Sequence, residues 1–216
     1  MTQEILSHLA SAYPLSEEDA GEFAKLRVNG MELAVRVFRA EGLGHVSLMS
    51  GGVPGVFSTD TLIVNPFERD AALLSYDRIQ AADNDTAILE LYDTRLERKN
   101  DALPLRAVAE SYADLPDIPA ASAWYDDIRY DVSLQKRADA VQTPRVDSLV
   151  RDYLAAYLAV CAAAPACVRA EKMRAAAKYT EGLLTHGGPA TDPFIRSAGR
   201  DFTCRFYRRC LFGTEE

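Results

Sequence analysis

From Asn29 onward the apolar residues of this chain fall at every second position. In MELAVRVFR, Leu33, Val35 and Val37 alternate with Glu32 and Arg36, the period of a half-buried strand. Glu41-Gly42 turns the chain into LGHVSLM, SGGVPG turns it into VFSTDTLIV, and Asn65-Pro66 ends that run. Ala71 to Thr94 then reads as a β-hairpin, ALLSYDRIQA and TAILELYDT around the Asp/Asn tract ADND. About five consecutive strands with short connections imply an antiparallel meander, since parallel neighbours need crossovers of roughly a dozen residues or more.

Helical spacing flanks this block. Residues 2 to 12 and 16 to 26 read as helices, the second starting at Ser16 with Glu17, Glu18 and Asp19 in its first turn, where acids suit the dipole. After Thr94 comes a charged, proline-punctuated connection with room for one short helix. Ser122 to Arg137 follows, with the single Trp124 and an alternation of Tyr130, Val132 and Leu134 that predicts a further strand. From Pro144 the pattern is helical: Leu149, Tyr153, Tyr157 and Val160 share one face. Pro165 interrupts it, Val168 to Leu184 is a second helix, and Thr191-Asp192 cap a last one striped by Phe194, Ala198, Phe202, Phe206 and Cys210. Helices before and after one continuous sheet predict an α/β fold, a three-layer α/β/α sandwich with a central, mainly antiparallel sheet, formed by residues 1–216 as a single domain.

Composition narrows the function. The net charge is −8, which argues against a general nucleic-acid binder, but residues 144–216 carry a balance of +3 and the first 143 one of −11. The C-terminal third can therefore offer a basic face to an acidic partner. No run of about 18 apolar residues exists and the N-terminus lacks the regions of a signal peptide, so a cytoplasmic, membrane-independent protein is expected. Cys161, Cys167, Cys204 and Cys210 are spaced too widely for a compact chelate and read as small apolar residues. Nucleotide, P-loop, nucleophile-elbow and zinc-protease motifs are missing, so no nucleotide cofactor is expected, and three histidines are few for a metal site.

What remains for chemistry is a set of protonatable groups on the meander: His45, Asp60, Asp77 and Glu90. Hairpin register decides whether Asp77 and Glu90 meet. A turn centred on Asp83-Asn84 sets Asp77 opposite Glu90, and a turn one residue later sets it opposite Tyr92. Two carboxylates on a covered face raise at least one pKa and yield an acid able to hold a proton near neutral pH. Asp60, in the middle of the preceding strand, could approach Asp77, and His45 could relay protons if it shares that face. Acids under a helical cover suit proton delivery to a bound organic ligand.

The stretch from Asp60 to Asp93 resembles the central strands of the ferredoxin-dependent bilin reductases. Ala72-Leu73-Leu74-Ser75-Tyr76-Asp77 stands where they carry a "PL-x-G-x-D" strand, and Glu90-Leu91-Tyr92-Asp93 where they carry "D-x-x-P". Ile195 to Gly199 and Phe206 to Phe212 are similar to the family's C-terminal "L-x-x-x-F-G" and "Y-x-x-x-L-F". The resemblance implies a linear tetrapyrrole such as biliverdin held between sheet and C-terminal helices. It also implies electrons from ferredoxin, no cofactor of the protein's own, and Asp77 as proton donor, with Glu90, Asp60 or His45 sharing that proton. Thr61 occupies the place of a histidine found in some members, and Gly188 that of an acid before the last helix, with Asp192 one turn later. Together with His186 and Arg196, Thr61 and Asp192 are the expected substrate contacts. A monomer is expected. The alternatives are a non-catalytic tetrapyrrole carrier, a chlorophyll-catabolite reductase, and a fold-mate with an unrelated small ligand.

Overall fold

The computed structural model describes residues 2–97, 102–119 and 122–215, with no account of the side chains of Thr2 and Gln3; parts of the charged connection, 98–101 and 120–121, lie outside the described residues. Helix α1 (Thr2–Ala12) leads into an eight-stranded antiparallel sheet: β1 (Leu15–Glu18), β2 (Lys25–Val28), β3 (Met31–Ala40), β4 (Gly44–Val53), β5 (Phe57–Asn65), β6 (Leu73–Ala81), β7 (Asn84–Tyr92) and β8 (Leu134–Asp139). The spatial order is β1-β3-β4-β5-β6-β7-β8, with β2 also pairing β3. Helix α2 (Leu103–Ser111) lies in the connection. The chain ends in α3 (Thr143–Ala163), α4 (Arg169–His186), α5 (Thr191–Ala198), α6 (Arg200–Phe206) and a π-helical turn, Tyr207–Leu211.

Strand alternation sorts the core into two layers. Leu48, Leu62, Leu74, Tyr76 and Leu89 pack with α1, α2 and α3, whereas Val35, Met49, Ile63, Leu73 and Tyr92 pack with Tyr179 and Leu183 of α4 and with Phe206 to Phe212. The outcome is the α/β/α sandwich, helices covering both sheet faces.

Three local expectations fail. Residues 16–26 form β1, a single 3-10 turn (Gly21–Phe23) and β2 rather than a helix, because both strands find partners along β3: Leu15 opposite Ala40, and Leu26 opposite Leu33. Tertiary pairing here overrides a good N-terminal helix signal. The last helix is broken at Gly199, whose φ of 85° and ψ of 157° no helix accommodates, into α5 and α6. The alternation of Tyr130 to Leu134 precedes its strand, because β8 starts at Leu134.

The hairpin register also differs from both expected ones. Asp77 lies opposite Ile88, Ser75 opposite Glu90, and the turn residues are Ala82 and Asp83, with Ala82 at a φ of 49°. A buried ion pair on the α3 face accounts for this. The Arg78 guanidinium donates from Nε to Asp85 Oδ1 at 2.8 Å and from Nη2 to Asp85 Oδ2 at 2.6 Å, and from Nη1 to Asp147 Oδ1 of α3 at 2.6 Å. Gln80 and Thr143 donate to the same Asp85 oxygen. Burial alone would raise the Asp85 pKa, but these donors hold it below the usual carboxylate range. The observed register brings Asp85 diagonal to Arg78 on the same face, within reach of it, which neither expected register does; Asp85 is drawn into β7 and the turn closes early.

A second set of bonds seats the C-terminus on the opposite face. His45 Nε2 donates to the Cys210 carbonyl at 2.9 Å, Ser47 Oγ to that of Leu211 at 2.7 Å, and Asn65 Nδ2 to that of Phe212 at 3.0 Å. These satisfy carbonyls that a helix end leaves open and lay Leu211 and Phe212 against the sheet.

Replacing Asp85 by Asn leaves the Arg78 charge buried with one anionic partner removed. Urea denaturation should show a loss of about 3 kcal/mol, whereas Arg27→Gln, which removes a pair with both side chains about three-quarters exposed, should leave the midpoint nearly unchanged.

Candidate functional site

A cavity of about 790 Å³ lies between the sheet and the C-terminal helices, within the range of small-molecule sites. Its floor is a cross-strand row: Met49 on β4, Thr61 on β5, Asp77 on β6, Ile88 on β7 and Gln135 on β8, each opposite the next. The adjacent row supplies Ile63, Ser75 and Glu90, and the next one Tyr92. Period-two alternation therefore brings Asp77 and Glu90 to one face, diagonal rather than opposite, with α-carbons about 7–8 Å apart. Tyr179 and Leu183 of α4, Phe194 of α5, Tyr207, Leu211 and Phe212 form the roof.

Asp77 sits at the middle of this floor. Thr61 Oγ1 donates to Asp77 Oδ1 at 2.5 Å, fixing the carboxyl's orientation. Burial pushes the Asp77 pKa up to about 6; the Thr61 hydrogen bond works against the shift and the nearby Glu90 charge adds to it. The group is an acid that exchanges its proton near neutral pH.

Glu90 is held differently. Tyr92 Oη donates to its Oε2 at 2.5 Å, while Gln135 Nε2 and Arg129 Nη1 donate to Oε1 at 2.8 and 3.0 Å. Arg129 in turn pairs with Asp126 at 2.8 Å. Tyr92 stacks on Tyr179 with ring centroids 4.2 Å apart, and hydroxyl bonds link the two. At the cavity mouth Trp124 donates from Nε1 to the Gly187 carbonyl and lies 5.4 Å from the His186 ring. Gly182 of α4 lets it lie flat, since a Cβ there would stand 2.1 Å from the indole.

Of the side chains singled out from sequence, Thr61, Asp77, Glu90, His186 and Asp192 line the cavity. The other three are elsewhere. Asp60 points to the opposite face from Asp77, because it is one residue from Thr61 in an alternating strand, so the two acids do not approach each other. His45 shares the Asp77 face but is committed to the C-terminal clasp beyond the cavity. Its burial pushes its pKa down to about 4, and its ring does not line the cavity that holds Asp77. Arg196 is exposed on α5 and does not line the cavity. Neither do Arg205 and Arg208, which pair with Glu22 and Glu181.

The arginine that does line the cavity, Arg129, was not legible, and neither were Gln135, Tyr92 and Tyr179. Arg129 follows a 3-10 turn (Asp126–Ile128), where neither helical nor strand period places a side chain. Tyr92 carried a usable signal, lying two residues from Glu90 on an alternating strand. Among the described residues no group of three His, Cys, Asp or Glu side chains is arranged to hold a metal ion, and no helix is long and apolar enough to cross a membrane.

The raised Asp77 pKa has a consequence for folding. Its folded value, about 6, lies above the reference value of 3.8, so the contribution is fully present below pH 3.8 and is lost as pH rises through 6. Asp77→Asn removes this dependence. Because the carboxyl retains some exposure to the cavity, the stability of wild type relative to Asp77→Asn should fall by about 2 kcal/mol between acid and neutral pH, measured by denaturation at each pH.

No protein-family model matches this chain, and no protein of curated function matches it in sequence. Among solved structures it is similar to the crystal structure of phytochromobilin synthase from tomato in complex with biliverdin, with a TM-score of 0.81 and 13% identity, over 99% of this chain and 82% of that one. At that identity the likeness establishes a shared fold: the α/β/α architecture of a biliverdin-binding protein.

Proposed function

We propose that this protein binds a linear tetrapyrrole of the biliverdin type in the cavity and reduces it, with electrons delivered singly by an external donor of ferredoxin type and a proton from Asp77. The observation that carries the reading is an acid pushed up to about 6, oriented by Thr61, at the centre of a cavity whose fold is that of a protein crystallised with biliverdin. Adding an electron to a conjugated pigment raises its basicity, and a carboxylic acid already protonated part of the time at neutral pH is matched to that demand. The largely apolar space lined by Met49, Ile88, Tyr179 and Phe212 suits an extended ring system. Arg129 and His186 are the cavity's positively charged or protonatable groups available to anionic side chains of the pigment. The reading calls for no resident cofactor. Thr61 cannot take up a proton as histidine does, so on this reading Asp77 is the principal donor.

Mixing the purified protein with biliverdin and then adding reduced ferredoxin without oxygen tests this directly. A visible shift on binding followed by loss of conjugation is expected; a shift with no further change would instead identify a tetrapyrrole carrier, and no shift would remove both readings. Asp77→Asn should keep the binding shift and lower the reduction rate by about 100-fold or more. An unaffected rate takes Asp77 out of the mechanism.

A further inference from the structure

Glu90, Arg129 and Gln135 line two spaces at once. On one side is the main cavity; on the other is an outer cleft of about 280 Å³, which Asp117, Ile118, Asp131 and Ser133 also line. The wall they share lies where the pairing of the sheet is interrupted. The β7–β8 ladder stops at the pair Leu89–Leu134, and beyond it β7 is met by the Tyr92–Arg129 bridge and by single bonds, from Leu91 N to Ser133 Oγ and from Tyr130 N to the Leu91 carbonyl. Glu90 lies at this interruption, and its carboxylate, with Arg129 and Gln135, is the partition.

We infer that Glu90 is the port through which protons from the outer cleft replenish Asp77 while a bound pigment closes the cavity. The inference rests on the function proposed above. Reducing one double bond consumes two electrons, supplied by the external donor, and two protons. Asp77 stores one proton, so the second must arrive with the ligand in place. A hydronium ion in the cleft protonates the Glu90 carboxylate. Glu90 then passes a proton by way of the Ser75 hydroxyl, directly opposite it on the same face, and one intervening water to the Asp77 carboxylate left by the first transfer. Glu90 returns to its carboxylate form, and no other species is consumed.

The groups around the port fit this role. Inside, Tyr92 donates to Glu90 and is itself bonded to Tyr179 and Tyr125, so one Glu90 oxygen is anchored. Arg129 and Gln135, which line both spaces, donate to the other oxygen, and Arg129 is also paired with Asp126. The cleft's acids are partnered, Asp117 with Lys136 and Asp131 with Arg106, which leaves its floor to Glu90.

Stopped-flow reduction of the biliverdin complex with excess reduced ferredoxin, between about pH 6 and 8, separates the two proton steps. Glu90→Gln should slow the second step about tenfold or more relative to the first, most at high pH, with partial recovery of that ratio on adding imidazole as a small proton donor. Ile118→Trp, which narrows the cleft without touching the cavity, should slow the same step, and it reads the port independently if Glu90→Gln fails to fold. Wild-type rates in both steps for either variant overturn the port while leaving Asp77-dependent reduction intact. Equal slowing of both steps places Glu90 in direct contact chemistry and overturns it too. A wild type that shows no shift with biliverdin fails at the function itself.

Discussion

The buried contact between Arg78 and Asp85 sets the geometry on which the cavity depends. Two parallel hydrogen bonds make it directional, and Asp147 ties the same guanidinium to α3. Its importance is not the energy of an ion pair, since burying two charges costs nearly what their attraction returns. It is specificity of register. A slip of one residue between β6 and β7 would separate Arg78 from Asp85 and turn one strand's cavity residues, Ser75 and Asp77 or Glu90 and Tyr92, towards the opposite helices.

With that register fixed, the two sheet faces divide the labour. One is an ordinary apolar core under α1 and α3. The other carries a central strip of polar groups, left open to the cavity because α4 and the C-terminal segment are held away from it. His45, Ser47 and Asn65 hold that segment by its last carbonyls, so the roof over Asp77 is set by bonds made beyond the cavity. Covering Asp77 removes water from its carboxyl, and that desolvation makes it an acid suited to neutral pH. Glu90, a short step away, is surrounded by donors instead. Two carboxyls on adjacent strands thus stand in different surroundings, one desolvated under an apolar roof and the other among hydrogen-bond donors.

Much of this was legible in the residues. The meander from Asn29 to Thr94, the helical face of Leu149 to Val160 and the break at Pro165 follow from local periodicity, and the structure bears them out. So does the placement of Asp77 and Glu90 on one face, though not their pairing. The misread stretches share a cause. Ser16 to Leu26 has a helix-start pattern, yet β3 offers two edges that this segment pairs with, and a long-range partner outweighs a local preference worth only tenths of a kcal/mol per residue. Asp60 and His45 were grouped with Asp77 because they are titratable and nearby in sequence. Strand alternation excludes the first, and the C-terminal clasp, 165 residues distant, claims the second.

The sequence by itself determined the central meander and the helices that follow it, the three-layer architecture and the presence of acids on adjacent strands, because period and turn chemistry act over a few residues. Only the tertiary structure decided which residue faces which, that Arg129 rather than Arg196 lines the cavity, that Glu90 stands between cavity and outer cleft, and that Asp77 is an acid near neutral pH. Register, burial and electrostatics depend on groups brought together from distant parts of the chain, and no local pattern encodes their distance or the water they displace.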